Sequence, residues 1–277
     1  MREATRLEAE ERERGHSSNL VGVPTGLLAG IAYNEHPVPL RIAGVREMYQ
    51  SLFEMLNQAE THEEAVGVFQ GYMGAVFGLD EEQREKDTPA DRRRFRSSYL
   101  KLLSGWSFDS NWPQGAVLKG WVESRFGLFP TFHKEPIKRI LGPAWMTYIE
   151  EKMSSRFHNN SIYTQLDLLY EFCQWSLGRF FAVGLRHMTL YRGICGFDEE
   201  QLIRKIDNRT VILRMNSLVS FSSDRDLAGQ FGDSIIEAEV PLTKILFFNR
   251  LIPQAPLQGE AEYMVIGGDY LVQVSYF

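Results

Sequence analysis

From about residue 43 the apolar positions repeat at helical spacing: Met48, Leu52, Met55 and Leu56, then Ala65, Val66, Val68, Phe69 and Met73. Residues three and four apart share one face of a helix, so this spacing predicts amphipathic helices packed by one side. The same spacing returns over about 143–156. It returns again over about 161–184, where Leu166, Leu168, Leu169, Phe172, Trp175, Leu177 and Phe181 form a broad apolar face. Between these stretches, residues 104–135 crowd Trp106, Phe108, Trp112, Trp121, Phe126, Phe129 and Phe132 among glycines, with Pro113 and Pro130. That pattern predicts short segments under a bulky core. Only Lys119 and Arg125 lie among these rings, too few basic residues to argue for a platform that stacks bases.

From residue 186 the period changes. Short β-branched or apolar runs separated by turns, at 188–194, 210–214, 217–222, 234–240, 244–248, 262–266 and 270–276, predict a sheet-rich carboxyl third. The fold class expected is α+β, with a helical amino-terminal two thirds packed on a β-rich third. Three regions follow. Residues 1–18, rich in alternating Glu and Arg, read as a flexible charged arm; 19–185 as a mainly helical region; 186–277 as a β-rich region forming one integrated domain with the helices. Within the second, Pro24, Pro37 and Pro39 suggest an irregular arm wrapped over the domain, and residues 80–94 form a charge run read as a solvated loop.

Composition narrows the function classes. A chain of 277 residues, 44% apolar, is long enough to bury a large core. Its formal charge is −6, with Lys and Arg spread along the chain, so no nucleic-acid partner is expected. Cys173 and Cys195 form no C-x-x-C pair and read as thiols of a reducing compartment. The charged amino terminus lacks the apolar stretch of a secretion signal, and no run reaches the roughly 18 apolar residues of a membrane span. A soluble, cytoplasmic protein is expected. The six histidines are scattered, so no metal is expected, and G-x-G-x-x-G, G-x-x-x-x-G-K-[ST] and G-x-S-x-G patterns are absent.

Three short segments carry candidate chemistry, all in the β-rich third. In the strand Met188 to Ile194, Arg192 is followed by Gly193. An arginine in an apolar strand is costly to bury unless it meets an anion, and its planar fork suits phosphate oxygens. Ser220-Phe221-Ser222 ends a second strand and runs into a short helix expected to be capped by Ser223. Glu260-Ala261-Glu262 precedes a third strand, after a loop bearing Pro253 and Pro256. Side chains two apart in an extended segment point the same way, so Glu260 and Glu262 are expected to face one partner.

Arginine, Ser-x-Ser and E-x-E in this order and strand context resemble the arginine-specific mono-ADP-ribosyltransferases, known by R, S-T-S and E-x-E motifs. The departure is Phe221 in place of threonine, which leaves both hydroxyls. The stretches from Asn19 to Leu28 and from Glu262 to Gly268, with the chain length, resemble the dinitrogenase reductase ADP-ribosyltransferase family over nearly everything after residue 18.

This resemblance implies NAD as substrate and an arginine of dinitrogenase reductase, the nitrogenase iron protein, as acceptor, with reversible switching-off of nitrogen fixation and a PII signalling protein as activator. It implies that Glu262 stabilises the ribosyl cation, Arg192 holds the NAD phosphates and Gly193 lets the backbone approach the nicotinamide amide. Ser220 would orient Glu262, Ser222 would support the strand end and the following helix, and Glu260 would position the acceptor guanidinium. Two other readings stand beside it: an arginine-specific transferase with another bacterial target, and a non-catalytic NAD-sensing module of the same fold.

Overall fold

A computed structural model describes residues 14–79, 98–154, 156–159, 161–196, 200–253 and 261–276. The helical spacing is realised as α1 (Gln50–Gln58), α2 (His62–Phe77), α3 (Tyr99–Phe108), α4 (Pro113–Phe126), α5 (Pro143–Lys152) and α6 (Ile162–Ser176). Local chemistry sets where they start. Thr61 and Glu64 form a reciprocal capping box at α2, the Ser98 hydroxyl accepts the Lys101 N–H at α3, and α4 and α5 begin on proline, whose missing N–H costs nothing there.

The central helix is α6. Leu166, Leu168, Leu169 and Phe172 are fully buried, and each large apolar side chain so buried contributes about 1.5–3 kcal/mol. Two acids also lie on this helix. Glu171 accepts from the Ile42 N–H at 2.9 Å, Arg46 Nε at 2.6 Å and Arg41 Nη1 at 3.3 Å; Asp167 accepts from the Trp121 indole and Arg125 Nε, both at 2.7 Å. These buried carboxylates tie the 41–46 segment and α4 to α6.

The β-rich region is antiparallel throughout: β3 (His187–Ile194), β4 (Gln201–Lys205), β5 (Thr210–Ser222), β6 (Ser234–Pro241), β7 (Ile245–Phe248) and β8 (Glu262–Tyr276), with a two-residue ribbon of β1 (Phe132–His133) and β2 (Glu135–Pro136) beside them. β5 pairs with β8 along its length, β8 with β6, β6 with β3, and β3 returns to β5 where Tyr191 faces Ser222. Four strands thus close into a ring. β4 flanks β5, and β7 flanks β8. The helices cover β7, where the α6 residue Gln174 donates to the carbonyls of Leu242 and Ile245 at 3.0 and 2.8 Å.

The α+β expectation holds, with three differences. The runs at 210–214 and 217–222 are one strand, as are those at 262–266 and 270–276. Both bend at the register shift between Met215 and Leu218, where a Cβ on Gly267 would lie 1.7 Å from the Asn216 carbonyl oxygen. Glycine there lets the ladder pass through the bend. β4, all of it exposed, carries no alternating pattern and was not expected. The proline-bearing arm is built into the core, with short helices Thr25–Leu28 and Ile31–Glu35, buried Leu28 and Tyr33, and the Ala29 carbonyl accepting the Asp269 N–H at 2.7 Å.

Of the charged arm, residues 14–18 are described and docked: Arg14 pairs with Asp269 at 3.3 Å, and Gly15 bridges to Leu128. Residues 1–13 and the charge run at 80–94 lie outside the described residues. Among the described residues no helix is long and apolar enough to cross a membrane.

Candidate active site

The three motifs meet at one end of the closed sheet. Register places Ser222 of β5 opposite both Tyr191 of β3 and Glu262 of β8, and Ser220 opposite Met264. Ser220 and Ser222 share a face of β5 by strand alternation, so Ser220 is the diagonal neighbour of Glu262. Its hydroxyl donates to Glu262 Oε1 in a short hydrogen bond. Glu262 is buried, at 8% exposure, as the first residue of β8. Asn249 at the end of β7 fixes that start by donating its N–H to the Glu262 carbonyl at 3.0 Å.

A cavity of about 620 Å³ opens over this point. Arg192, Gly193, Ser220, Ser222 and Glu262 all line it, from three strands. The far wall comes from the helical region: Trp106 and Phe108 at the end of α3, and the loop reaching Asn111. Phe108 is 75% exposed and Phe231, which also lines the cavity, 58%, so two aromatic rings stand there in contact with solvent.

Arg192, Gly193 and Ser222 each have a definite role in the fold. Arg192 donates Nε to Glu200 Oε1 at 2.9 Å and Nη1 to the Ser220 carbonyl at 3.1 Å, which fixes the plane of the guanidinium and braces β3 against β5. A Cβ on Gly193 would come within 2.1 Å of the Ala228 carbonyl oxygen, in the short helix α7 (Arg225–Ala228), so packing alone requires glycine here. Ser222 Oγ accepts the Asp224 N–H at 3.0 Å. The cap of α7 is Asp224, which accepts from the Asp226 and Leu227 N–H groups at 2.9 and 3.1 Å; Ser223, the expected cap, instead donates its N–H to the Ala261 carbonyl at 3.1 Å. Asp and Ser cap comparably well, and their adjacency hid the choice.

Of the E-x-E segment, Ala261 and Glu262 are described, and Ala261 has φ +46°, in the left-handed region. Glu260 itself lies outside the described residues, as do Gln254 to Gly259 of the preceding loop.

Three residues that sequence reading passed over belong to this site. Trp106, read as core, is 4% exposed and donates its indole N–H to Ser220 Oγ at 2.9 Å. Glu200, buried beside Arg192, carried no motif. Lys119, fully buried, donates to Asn111 Oδ1 at 3.2 Å and the Phe132 carbonyl at 3.1 Å, holding two residues of the cavity lining from behind. Nothing in local spacing marks any of the three. Among the described residues no group of three or more His, Cys, Asp or Glu side chains is arranged to hold a metal ion.

Chemically, the site offers an anchored carboxylate on β8 beneath an aromatic-rimmed cavity, with a guanidinium on β3, across β5 from it. A carboxylate so placed stabilises positive charge developing at a bound carbon centre. The sequence profile of the dinitrogenase reductase ADP-ribosyltransferase family matches residues 18–274. An NAD(+)–dinitrogen-reductase ADP-D-ribosyltransferase of Rhodospirillum rubrum is 61% identical over 264 residues, covering 95% of this chain and 96% of that protein. No solved structure matches the chain.

Proposed function

Because the chain belongs to the dinitrogenase reductase ADP-ribosyltransferase family, we propose that it moves ADP-ribose from NAD to an arginine of dinitrogenase reductase, in the 620 Å³ cavity above Glu262. The observation that carries this reading is the convergence of Arg192, Ser220 and Glu262, from three strands, on one cavity. Its volume is that of an ordinary small-molecule site.

In this reading the bond from the nicotinamide nitrogen to C1′ of its ribose breaks, and its electron pair leaves with nicotinamide. The positive charge passes to the ribose as an oxocarbenium-like centre, which the Glu262 carboxylate stabilises. Arg192 faces the NAD diphosphate, its fork held in plane by Glu200 and the Ser220 carbonyl. Gly193 keeps the end of β3 low enough for the nicotinamide amide to approach the backbone, and Ser222 supports the strand end through the Asp224 N–H. Phe108 and Phe231 supply apolar faces for the rings of NAD.

The acceptor guanidinium attacks C1′ and gives up a proton, which Glu260 takes. A guanidinium is a weak nucleophile because its pKa lies above about 12, so an adjacent carboxylate is needed to pair with it and receive the proton. The protein is cytoplasmic, where dinitrogenase reductase and NAD are both at hand, and a PII protein activates it. Arginine and Glu260 are supported by the resemblance of the R, S-x-S and E-x-E motifs, and PII by the resemblance to the dinitrogenase reductase ADP-ribosyltransferase family. Dinitrogenase reductase incubated with this protein, a PII protein and NAD tests them together, with fragmentation mass spectrometry to locate the adduct. One ADP-ribose on an arginine is expected; an adduct on another residue type, or equal yield without PII, contradicts the corresponding point.

A further inference from the structure

We propose that Trp106 is a positioning residue for the transfer reaction, acting on Glu262 through Ser220. The inference rests on the reading of Glu262 given above. Trp106 comes from α3 in the helical region, 114 residues from Ser220, yet its indole N–H lies 2.9 Å from Ser220 Oγ. Ser220 Oγ in turn donates to Glu262 Oε1. The three groups form a directed chain.

The direction follows from donor and acceptor identity. An indole nitrogen donates only, whereas a serine hydroxyl carries one donor and two lone pairs on a freely turning rotor. Trp106 claims a lone pair and disfavours any rotor position that turns the hydroxyl hydrogen towards the indole. The hydrogen is thereby steered to Glu262. Donation into Ser220 also polarises its O–H, which strengthens the bond it makes. A hydrogen bond donated to a carboxylate favours its charged form, the form that stabilises a ribosyl cation. Phenylalanine at 106 would keep the buried ring and remove the N–H, returning the rotor to Ser220.

A double-mutant cycle tests this, with nicotinamide release from NAD measured in the presence of dinitrogenase reductase. In the Ser220 background, Trp106→Phe should lower kcat roughly tenfold, the scale of one buried hydrogen bond, with KM for NAD within about twofold. In the Ser220→Ala background the same replacement should change kcat less than about twofold, since the relay is already cut. The acid limb of the kcat profile should move to higher pH in Trp106→Phe, because the carboxylate form has lost support. Trp106→His, which retains an N–H donor, should recover part of the rate. Equal factors in both backgrounds, or a loss confined to KM, overturn the proposal and leave Trp106 as packing or as a contact to NAD. Glu262→Gln runs alongside. If it keeps the wild-type rate, the reading of Glu262 falls and this one with it; if it is inactive while the Trp106 factors are equal, only the positioning role falls.

Discussion

Glu171 in the helical region and Glu262 in the sheet are both buried carboxylates, but their surroundings differ in kind. Glu171 is completely buried, and its oxygens accept from Arg46, Arg41 and the Ile42 N–H. Burial pushes its pKa up, which the Ile42 N–H and Arg41 only partly offset. Glu262 accepts a hydroxyl from Ser220 and lines a cavity large enough for a ligand. The first carboxylate is spent on holding α6 to the 41–46 segment. The second takes a hydrogen bond from the Ser220 hydroxyl and borders a space that a ligand can enter. Burial alone therefore does not single out a carboxylate that faces a ligand; the adjoining space does.

If that contrast is right, the two sites respond to substitution in opposite ways. Glu262→Gln is expected to lower nicotinamide release about a thousandfold, the scale of losing a principal charge stabiliser, while the thermal midpoint changes by no more than a few degrees. Glu171→Leu should do the reverse. It leaves the half-buried Arg46 guanidinium without its carboxylate, at a cost of about 3 kcal/mol, or roughly 6–12 °C in midpoint for a chain of this size. Its activity per folded molecule should stay within about twofold.

A third buried charge sharpens the point. Lys244 is wholly buried, donates to the Gly267 carbonyl at 3.2 Å and lies 4.9 Å from the Tyr270 ring centre. Burial lowers its pKa to about 7, against a small opposing pull from Asp269. Between about pH 7 and the ordinary lysine value, the unfolded chain holds a proton that the folded one has released, so stability should rise with pH across that window, by at most about 1.4 kcal/mol per pH unit. Below pH 7 both states are protonated and the full cost of the buried cation remains. Denaturant titrations of wild type and Lys244→Met at several pH values should show this slope in the first and its loss in the second. The smallest effect is expected at Ser222→Ala, which removes one acceptor for the Asp224 N–H. About 1 kcal/mol of stability should go, with turnover within about twofold; a large loss of turnover would promote Ser222 to a direct role.

What could be read from the sequence divides along the same line. The helical region announced itself, because apolar faces at 3.6-residue spacing are local features, and Leu166, Leu169 and Phe172 are core as the spacing requires. The strands carrying Arg192, Ser220 and Glu262 were legible for the same reason. Their lengths were not. Gly267 and Gly268 look like a break between strands, but the missing side chain at Gly267 is what lets β8 continue past Asn216. Ala261 gave no sign of its left-handed backbone, since alanine has no preference for it. Trp106 and Glu200 were invisible as site residues because their roles come from partners brought near by the fold, and an aromatic-rich stretch around Trp106 reads as core whether or not one indole N–H points at a serine.

The most direct measurement is a crystal structure of the Glu262→Gln variant with NAD. The nicotinamide ribose is expected beside position 262, the diphosphate near Arg192, and the rings against Phe108 and Phe231. The molecule has a second cavity of about 510 Å³, lined by Arg14, Trp145, Arg214 and Asp269. NAD seated there, with the space above position 262 empty, would contradict the role assigned to Glu262.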